Sequence, residues 1–467
     1  MEKKYDYLVI GSGPAGHVSA IRAAQLGMKV ALVEKDESML GGVCLNEGCI
    51  PAKSLFTSAK IVDLARKNKD ILALEEASIS GSISKIVERS LLHTETLRKG
   101  LAFLLKKNKI DYINGFARFI DNYTVSVSSG GEAYEIKSDK FLVAAGSTSA
   151  QLDGMPFDGK TIITSREAIR LKDLPRSILI VGGGSIGTEF ASYFNLLGSK
   201  VTVAELEDAL LPGEDWEISR RLHSIFRQKD IEVFTSSRVK GIKGGGSSQE
   251  VAVETKDGET MGEYDLVLIS VGRIPSTGGI GLEDVGVETD DKGFIRVNGK
   301  METTVSNIFA AGDVVRTPML AHMAYAEGEI AAEVAGGASP EAIDHSSVPN
   351  AVYMDIEVAS VGMTEKEAKA GGEEVCIGKQ FFKANGRAVV TSETEGFIKI
   401  VASPGSFRLL GVHIIAHGAS ELIHEFAVAK RNGLTAKDIA RSVHAHPTFS
   451  ETAVDAAKAV FSQPIHG

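Results

Sequence analysis

The chain is poor in the features that mark secreted, membrane-spanning and nucleic-acid-binding proteins. Its 467 residues include only three cysteines, which is too few to staple a chain of this size and is typical of a reducing compartment. No apolar run approaches the roughly 18 residues that a membrane helix needs. Basic residues are fewer than acidic ones, with 51 Lys and Arg against 61 Asp and Glu. The resulting net charge of −10 argues against nucleic acid or an anionic membrane as a general partner.

Nothing in the first residues indicates export. Residues 1–6 run directly into the strand-like segment 7–10, so we expect no signal or transit segment and predict a cytoplasmic protein. Glycine is abundant, with 49 residues, which suggests tight turns and backbone that approaches ligands closely. The length predicts about three domains.

An internal repeat dominates the sequence. The glycine motif GSGPAG at residues 11–16 follows one apolar run, and GGGSIG at residues 182–187 follows another. Each unit continues into helix-like sequence and a second strand that ends in an acid, Glu34 or Glu205. The first glycines of the two motifs are 171 residues apart, and so are the two acids. The units therefore share their internal spacing.

Two such units predict two dinucleotide sites of the Rossmann type. The first glycine makes the tight turn, the second lets backbone N–H groups reach a pyrophosphate, and the third lets helix pack on strand, while the helix N-terminus favours the anion. The acid would accept hydrogen bonds from a ribose diol and repel a 2′-phosphate, so Glu205 favours NAD over NADP. For one unit alone, turn glycines and solvated glutamates would be a credible alternative, but the matched pair favours nucleotide binding. The predicted positions are Gly11, Gly13, Gly16 and Glu34 in the first unit and Gly182, Gly184, Gly187 and Glu205 in the second.

Further strands complete the predicted organisation. Two end in Gly146 and Gly272, where we expect the chain to leave each sheet, and we count both glycines among the cofactor-binding positions. Alternating apolar residues predict β-meanders at 114–140 and 233–264. A strand ending in Asp313 could return to the first sheet, although Gly-Asp is equally an ordinary turn. From about residue 346 the pattern becomes α+β. We therefore predict an α/β fold with two Rossmann-like domains and a C-terminal α+β domain, divided as 1–150, 151–274, 275–345 as a return to the first domain, and 346–467.

Cys44 and Cys49 lie five positions apart in GGVCLNEGCIPAK, residues 41–53. In a straight helix their sulfurs would point apart, so a disulfide could close only if the helix start is distorted, and the three glycines of this segment supply that freedom. A disulfide in a reducing compartment is usually catalytic. The spacing leaves two alternatives. One is a zinc half-site, although no second cluster completes the ligands, and the other is a pair of unlinked buried thiols.

The segment HAHPTFSE at residues 444–451 carries a second candidate. His446 could move a thiol proton, and a carboxylate such as Glu451 could orient its ring. Thr448 and Glu451 also fit a helix capping box, which explains Glu451 without catalysis and is favoured by this segment alone. His444 and His446 could belong to a metal site, but no other ligands support one, and we predict no metal.

Together these motifs resemble the pyridine nucleotide-disulfide oxidoreductase family over essentially the whole chain. The resemblance rests on the segment 41–53, the two dinucleotide motifs in this order, the segment 310–313 and the terminal His-Pro-Thr. Within the family, residues 384–388, 410–415 and 444–448 are most similar to the members that reoxidise lipoyl groups of 2-oxo acid dehydrogenase and glycine cleavage complexes.

The resemblance implies FAD in the first unit and NAD in the second. Asp313 would hold the ribityl chain of FAD, Lys53 would lie near the flavin ring, and Glu189 would lie near the nicotinamide. Cys44 would be the interchange thiol that meets substrate, and Cys49 would be the thiol that faces the flavin.

The resemblance also implies a homodimer with residues 346–467 as its dimerisation domain, because His446, oriented by Glu451, would reach the active site of the other subunit. The partner would be a lipoyl-bearing component that presents its arm from another chain. Four positions depart from the family pattern and bear on flavin potential and substrate preference rather than on the reaction class. They are Val43, Ala52, Met354 and Ile356.

Three other functions stay open at this point. Another disulfide reductase could run in the opposite direction, although Glu205 argues against NADPH, and the cysteine-free residues 464–467 argue against mercuric reductases and against thioredoxin reductases with a C-terminal redox pair. An NADH oxidase or diaphorase of the same fold is the second. A non-enzymatic nucleotide sensor is the third, and it predicts cofactor binding without turnover.

Overall fold

The computed structural model describes residues 4–75, 81–244 and 248–466, which form helices and strands in close alternation. The α-helices are α1 (Pro14–Gln25), α2 (Gly42–Asn46), α3 (Cys49–Lys67), α4 (Ile83–Lys107), α5 (Ser165–Ala168), α6 (Ser185–Leu197), α7 (Trp216–Gln228), α8 (Ala321–Ala335), α9 (Glu365–Ala370), α10 (Gly386–Thr391), α11 (Ala419–Arg431), α12 (Ala436–Arg441) and α13 (Glu451–Ala459).

The strands are β1 (Lys4–Ile10), β2 (Val30–Glu34), β3 (Asp111–Asn114), β4 (Phe116–Asp121), β5 (Thr124–Ser129), β6 (Glu132–Val143), β7 (Ser147–Ser149), β8 (Ile162–Ile163), β9 (Ser177–Val181), β10 (Lys200–Ala204), β11 (Glu232–Phe234), β12 (Arg238–Gly244), β13 (Gln249–Thr255), β14 (Gly258–Tyr264), β15 (Leu266–Ile269), β16 (Arg273–Pro275), β17 (Ile308–Ala310), β18 (Pro349–Val352), β19 (Glu357–Gly362), β20 (Cys376–Phe381), β21 (Phe397–Ala402) and β22 (Leu409–Ala416). None of the helices in the described part of the chain combines the length and the apolarity that crossing a bilayer requires.

The chain folds as two compact units, each built from three stretches of sequence. The first unit contains Met1–Leu55, Ser84–Ala150 and Gly272–Ile343, and the second contains Phe56–Ile83, Gln151–Val271 and Asp344–Gly467. The α/β fold class predicted from the sequence is confirmed. The domain limits at residues 150, 274 and 345 stay a prediction.

The first unit is organised by a parallel sheet in the order β3-β2-β1-β6, with β17 also parallel to β6. The strand before Asp313 thus returns to the first sheet, as predicted. The sequence pattern suggested a meander over 114–140 and a separate strand after it, but the structure joins them in β6. The first half of β6 pairs antiparallel with β5, and its second half pairs parallel with β1. One strand serves both patterns because its neighbours change halfway along it.

The second unit repeats the arrangement and adds two antiparallel sheets. Its parallel sheet has the order β11-β10-β9-β15-β8, so that β9, α6 and β10 occupy the same places as β1, α1 and β2. The strands β12, β13 and β14 form the predicted meander. A five-stranded antiparallel sheet, β18-β19-β22-β21-β20, packs against α11 and α13 through a buried hydrophobic core.

Candidate active site

The two glycine motifs have nearly identical local geometry. Gly11 and Gly182 have φ angles of +100° and +106°, in the left-handed region that favours glycine. A Cβ atom on Gly16 would lie 1.8 Å from the carbonyl oxygen of Gly11, and a Cβ on Gly187 would lie 1.8 Å from that of Gly182. Only glycine therefore allows the first turn of α1, and equally of α6, to close against its own loop.

The second glycine of each motif faces open space. A Cβ on Gly184 would meet no atom within 4 Å, and one on Gly13 would meet only the Cα of Gly42, at 4.0 Å. Both residues are N-caps, and neither α1 nor α6, which lie wholly within the described residues, has a side-chain cap or an acid in its first turn. Uncapped N–H groups at the positive end of a helix, with room in front of them, fit a pyrophosphate. The residues present thus suit two dinucleotides.

The acids at the ends of β2 and β10 occupy equivalent positions beside these loops. Each is 7% exposed. Glu34 accepts hydrogen bonds from the backbone N–H of Ser12 at 2.9 Å and from its hydroxyl at 2.7 Å. Glu205 accepts one from the N–H of Gly183 and another, at 2.7 Å, from Glu207. Besides the ribose contact predicted from the sequence, each carboxylate therefore holds the second residue of its glycine loop in place.

The redox segment lies directly against the first glycine loop. Gly41 donates its N–H to the Ser12 hydroxyl at 3.1 Å, and a Cβ on Gly42 would come within 2.6 Å of the Cα of Gly13. Both Gly41 and Gly42 have left-handed φ angles, +92° and +68°. The glycines that the sequence analysis assigned to helix distortion thus also bring the cysteine segment to the first nucleotide loop.

Cys44 and Cys49 meet because the helix is interrupted between them. Cys44 belongs to α2, Cys49 begins α3, and Gly48 stands in the break. A Cβ on Gly48 would approach the Cα of Cys44 to 3.3 Å, so a larger residue would push the two turns apart. Both cysteines are partly buried free thiols, and their side chains are hydrogen-bonded to each other. The distortion predicted from the sequence is present.

The environment of Cys44 favours the thiol form. The hydrogen bond with Cys49 and burial both raise the pKa of Cys44, and the ammonium group of Lys53 on α3 opposes them. A thiol in this state reacts slowly as a nucleophile.

Asp313 lies in a polar group that the sequence analysis did not foresee. It accepts a hydrogen bond from the Ser147 hydroxyl, and its carboxylate lies 3.8 Å from the guanidinium of Arg273. Arg273 also donates to the Ser147 hydroxyl at 2.7 Å and to its carbonyl at 2.6 Å. Burial lowers the pKa of Arg273, and the negative charge of Asp313 is the largest opposing influence. Asp313 is thus a carboxylate oriented by a cation and a hydroxyl, and not a plain turn residue.

The two strand-end glycines belong to one ribbon of the first unit. Gly146 precedes β7 and Gly272 precedes β16, and these two strands pair antiparallel. A Cβ on either glycine would meet no atom within 4 Å. Gly272 accepts the N–H of Ala150 at 3.0 Å and Gly146 accepts that of Ser276 at 2.8 Å, so the two glycines mark opposite ends of the ribbon. Gly272 thus belongs to the first unit, whereas the sequence had suggested the second dinucleotide unit.

Glu189 is a buried residue of α6 in the second unit. Its carboxylate accepts the backbone N–H of Tyr353 at 2.9 Å. The described structure therefore gives it a structural bond beside the nicotinamide contact predicted from the resemblance.

His446 and Glu451 form a pair at the end of the chain. The Nδ1 atom of His446 lies 2.9 Å from Oε1 of Glu451, and the histidine side chain is 77% exposed. The other carboxylate oxygen accepts the N–H of Thr448 at 2.8 Å, and this bond is the main influence that lowers the pKa of Glu451. The Thr448 hydroxyl turns to the Ala445 carbonyl, so only half of the predicted capping box forms, and Ser450 is the N-cap of α13. Glu451 fixes both the histidine ring and the loop.

His444 has a partner of its own. Its Nε2 atom lies 3.0 Å from Oε1 of Glu425 on α11. This contact anchors the loop that carries His446. No group of three or more His, Cys, Asp or Glu side chains within the described residues is arranged to hold a metal ion.

Comparison with known proteins identifies the family. Residues 5–328 match the pyridine nucleotide-disulphide oxidoreductase family, and residues 348–457 match its dimerisation domain. The chain is 41% identical to the dihydrolipoyl dehydrogenase of Bacillus subtilis (strain 168), with 100% of both chains covered. It is 38% identical to the mitochondrial dihydrolipoyl dehydrogenase of Pisum sativum, covering 99% of this chain and 92% of that one. The crystal structure of LpdA from Mycobacterium tuberculosis matches 98% of this chain and 99% of that one, with a TM-score of 0.90 and 27% identity.

The chain belongs to the pyridine nucleotide-disulphide oxidoreductase family. It is accordingly an oxidoreductase that uses FAD and NAD, and the family resemblance drawn from the sequence is confirmed.

Proposed function

We propose that the protein oxidises protein-bound dihydrolipoyl groups to lipoyl groups, with NAD as the final electron acceptor. The observation that carries this proposal is the contact of Gly41 and Gly42 with the first glycine loop, because these glycines begin the segment in which the side chains of Cys44 and Cys49 are hydrogen-bonded to each other. Identity over full length to dihydrolipoyl dehydrogenases supports the choice of substrate.

In the proposed reaction a dihydrolipoyl thiolate attacks the sulfur of Cys44 in the Cys44–Cys49 disulfide. This bond forms as the disulfide breaks and Cys49 leaves as a thiolate. The second thiol of the substrate, once deprotonated, then attacks the substrate sulfur that is bonded to Cys44. This closes the lipoyl ring and frees Cys44. Two electrons have then passed from the substrate to the cysteine pair.

The proton of the attacking thiol needs a base, because a free thiol with a pKa near 8.5 is mostly protonated at neutral pH. We assign this role to His446, whose Nδ1 is paired with Glu451 while the rest of its ring is exposed. Following the family resemblance, we propose a homodimer in which His446 serves the cysteine pair of the other subunit. The match of residues 348–457 to a dimerisation domain supports this.

The bound cofactors would complete the electron transfer. The chemistry supplied by FAD, when bound, would be two-electron transfer between the cysteine pair and NAD. We propose that the residues holding FAD are Gly11, Gly13, Gly16, Glu34, Lys53, Gly146 and Asp313. Those proposed to hold NAD are Gly182, Gly184, Gly187, Glu189 and Glu205, and Gly272 stays a predicted cofactor-binding position that we assign to neither cofactor.

We further propose that the reaction takes place in the cytoplasm, since a redox-active pair in a chain with only three cysteines suits a reducing compartment. The partner would be the lipoyl-bearing component of a 2-oxo acid dehydrogenase or glycine cleavage complex. It would reach the site with a flexible arm.

The first experiment compares substrates with purified protein loaded with FAD. Initial rates of dihydrolipoamide oxidation with NAD are measured beside glutathione disulfide reduction with NADH and with NADPH. Fast lipoamide turnover supports the proposal. Slow lipoamide turnover with full FAD content, together with faster reduction of the other disulfide, would assign the protein to the reductases instead.

Replacement of Glu205 tests the choice of nucleotide. In the wild-type protein we expect a strong preference for NAD, because this carboxylate accepts ribose hydrogen bonds and repels a 2′-phosphate. Glu205→Gln keeps an acceptor for Gly183 but removes the charge, so the ratio of kcat/KM for NAD over NADP should fall about tenfold, the size of one charged hydrogen bond. The exposed neighbour Glu207, changed to Gln, is the control and should leave the ratio unchanged. Equal efficiency of the wild type with NAD and NADP would reject this role.

A further inference from the structure

Glu327 is a buried carboxylate on α8 that the proposed reaction does not use. Its side chain is fully buried, with 0% exposure. The Oε2 atom accepts the backbone N–H of Gly312 at 2.7 Å, whereas Oε1 has no hydrogen-bond partner among the described residues. Burying a carboxylate with so few bonds is costly, so the position calls for an explanation beyond packing.

The bond to Gly312 acts on a turn that has little freedom. Gly312 has a φ angle of +76°, and a Cβ there would lie 3.2 Å from the Cβ of Ala15 on α1. On α8, a Cβ on Gly328 would lie 2.3 Å from the Ala15 carbonyl oxygen. The close approach of α1 and α8 at Gly328 therefore brings the preceding residue, Glu327, under the turn.

The residue after Gly312 is Asp313. The carboxylate of Asp313 is oriented on its other side by Ser147 and Arg273. Glu327 instead holds the N–H of Gly312, one residue before Asp313. The turn is thus held at Gly312 by one carboxylate and at Asp313 by a hydroxyl and a cation.

We infer that Glu327 is a positioning residue for FAD: by holding the Gly312 peptide it fixes the direction in which Asp313 presents its carboxylate to the ribityl chain. This inference rests on the proposed function, which assigns Asp313 to FAD. It requires a hydrogen-bond acceptor of the length of glutamate at this position, and it does not require the negative charge.

The test compares three variants in direct titrations of apoprotein with FAD, followed by flavin fluorescence. Glu327→Gln keeps the acceptor and should bind FAD within about threefold of the wild type. Glu327→Leu removes the acceptor, and Glu327→Asp is too short to reach Gly312, so both should raise the Kd for FAD about tenfold, the cost of one hydrogen bond. The control is Glu329→Leu, which alters an exposed residue of the same helix.

A double-mutant comparison separates positioning from general loosening of the fold. If Glu327 acts through Asp313, then Glu327→Asp should add little to the loss of FAD affinity already caused by Asp313→Asn. Additive losses, or wild-type affinity in both Glu327→Asp and Glu327→Leu, would overturn the inference. Failure of the wild type itself to bind FAD would instead overturn the proposed function, so the two outcomes are distinguishable.

The stability of the apoprotein supplies a second readout that needs no flavin. Burial raises the pKa of Glu327 to about 7, the polar side chain of Thr317 and the N–H of Gly312 oppose this, and the charge of Asp313 adds to it. A carboxyl group with a raised folded pKa contributes its full stability below its unfolded pKa of about 4.5 and loses it as the pH rises through 7. Between pH 4.5 and 7 the unfolding temperature of the wild-type apoprotein should therefore fall. In Glu327→Gln, which cannot titrate at this position, we expect a smaller fall. An unchanged pH profile would mean that the carboxyl of Glu327 does not occupy the buried position beside Gly312, and it would overturn the inference.

Discussion

Cys44→Ser should reduce dihydrolipoamide oxidation at least about a thousandfold, because removal of an essential reacting group costs more than this in other enzymes. Serine cannot form the disulfide with Cys49 or the mixed disulfide with substrate. The hydroxyl has nearly the shape of the thiol, and Cys44 is not among the residues proposed to hold FAD, so the protein should keep its yellow colour. Steady-state rates and flavin absorbance measure the two properties on one sample.

The third cysteine provides the matched control. Cys376 lies on β20 in the second unit, where its thiol donates to the Ala402 carbonyl at 3.3 Å. Cys376→Ser should retain wild-type turnover. If Cys44→Ser also keeps its turnover, the assignment of Cys44 as the interchange thiol is wrong. If Cys44→Ser loses FAD together with activity, the loss reports a damaged nucleotide site and leaves the thiol untested, so the variant Cys49→Ser is then measured in the same way.

The repeated dinucleotide units were the part of the fold that the sequence predicted best. Glycines must stand where the backbone turns sharply or where helix and loop touch, and these demands are local, so they leave a local pattern. The same holds for the break between Cys44 and Cys49, because the glycines that permit it lie within a few residues. The strand β6 was misjudged because its two halves have different neighbours, and a local pattern does not reveal neighbours.

Residues whose partners lie far along the chain could not be recognised as part of the site from the sequence. Arg273 meets a serine 126 positions away, and Glu327 binds a turn that is 15 positions away but belongs to another element. Nothing near either residue marks it as buried or paired. The only available signal was indirect: an acid within the Ala-rich, apolar face of α8 is out of place unless it has a buried partner.

Lys399 is the extreme case of a residue that local sequence could not explain. It lies in β21 with 0% side-chain exposure, and its ammonium group contacts three carboxylates. Asp215 lies at 2.9 Å, Glu217 at 3.0 Å and Glu365 at 2.7 Å. Burial alone would raise the pKa of Asp215, but the hydrogen bond from Lys399, the charge of His413 and the N–H of Glu217 together hold that pKa below its usual range. The lysine is therefore the counter-charge on which a buried acidic cluster in the second unit depends.

Lys399→Met should destabilise the second unit by about 3 to 5 kcal/mol, because removing one partner of a buried ion pair leaves an uncompensated buried charge. Methionine keeps most of the volume, so the effect comes from charge and not from a cavity. Denaturant unfolding at pH 7 measures it, with the exposed Lys366→Met on α9 as the control that should change stability by less than about 0.5 kcal/mol.

If unpaired buried charge causes the loss of stability in Lys399→Met, removing that charge should restore part of the stability. Adding Asp215→Asn to Lys399→Met removes the most deeply buried of the stranded charges and should recover part of the lost stability.

Lowering the pH should also reduce the difference in the free energy of unfolding between Lys399→Met and the wild type. Hydrogen bonds from Lys369 and then from Lys399 lower the pKa of Glu365 to about 2, and such acids contribute stability above their unfolded pKa and lose it as the pH falls. In the variant this contribution is already diminished, so acid should destabilise it less than it destabilises the wild type. A loss below about 1 kcal/mol at pH 7, or an equal response of both proteins to acid, would mean that the carboxylates do not depend on Lys399.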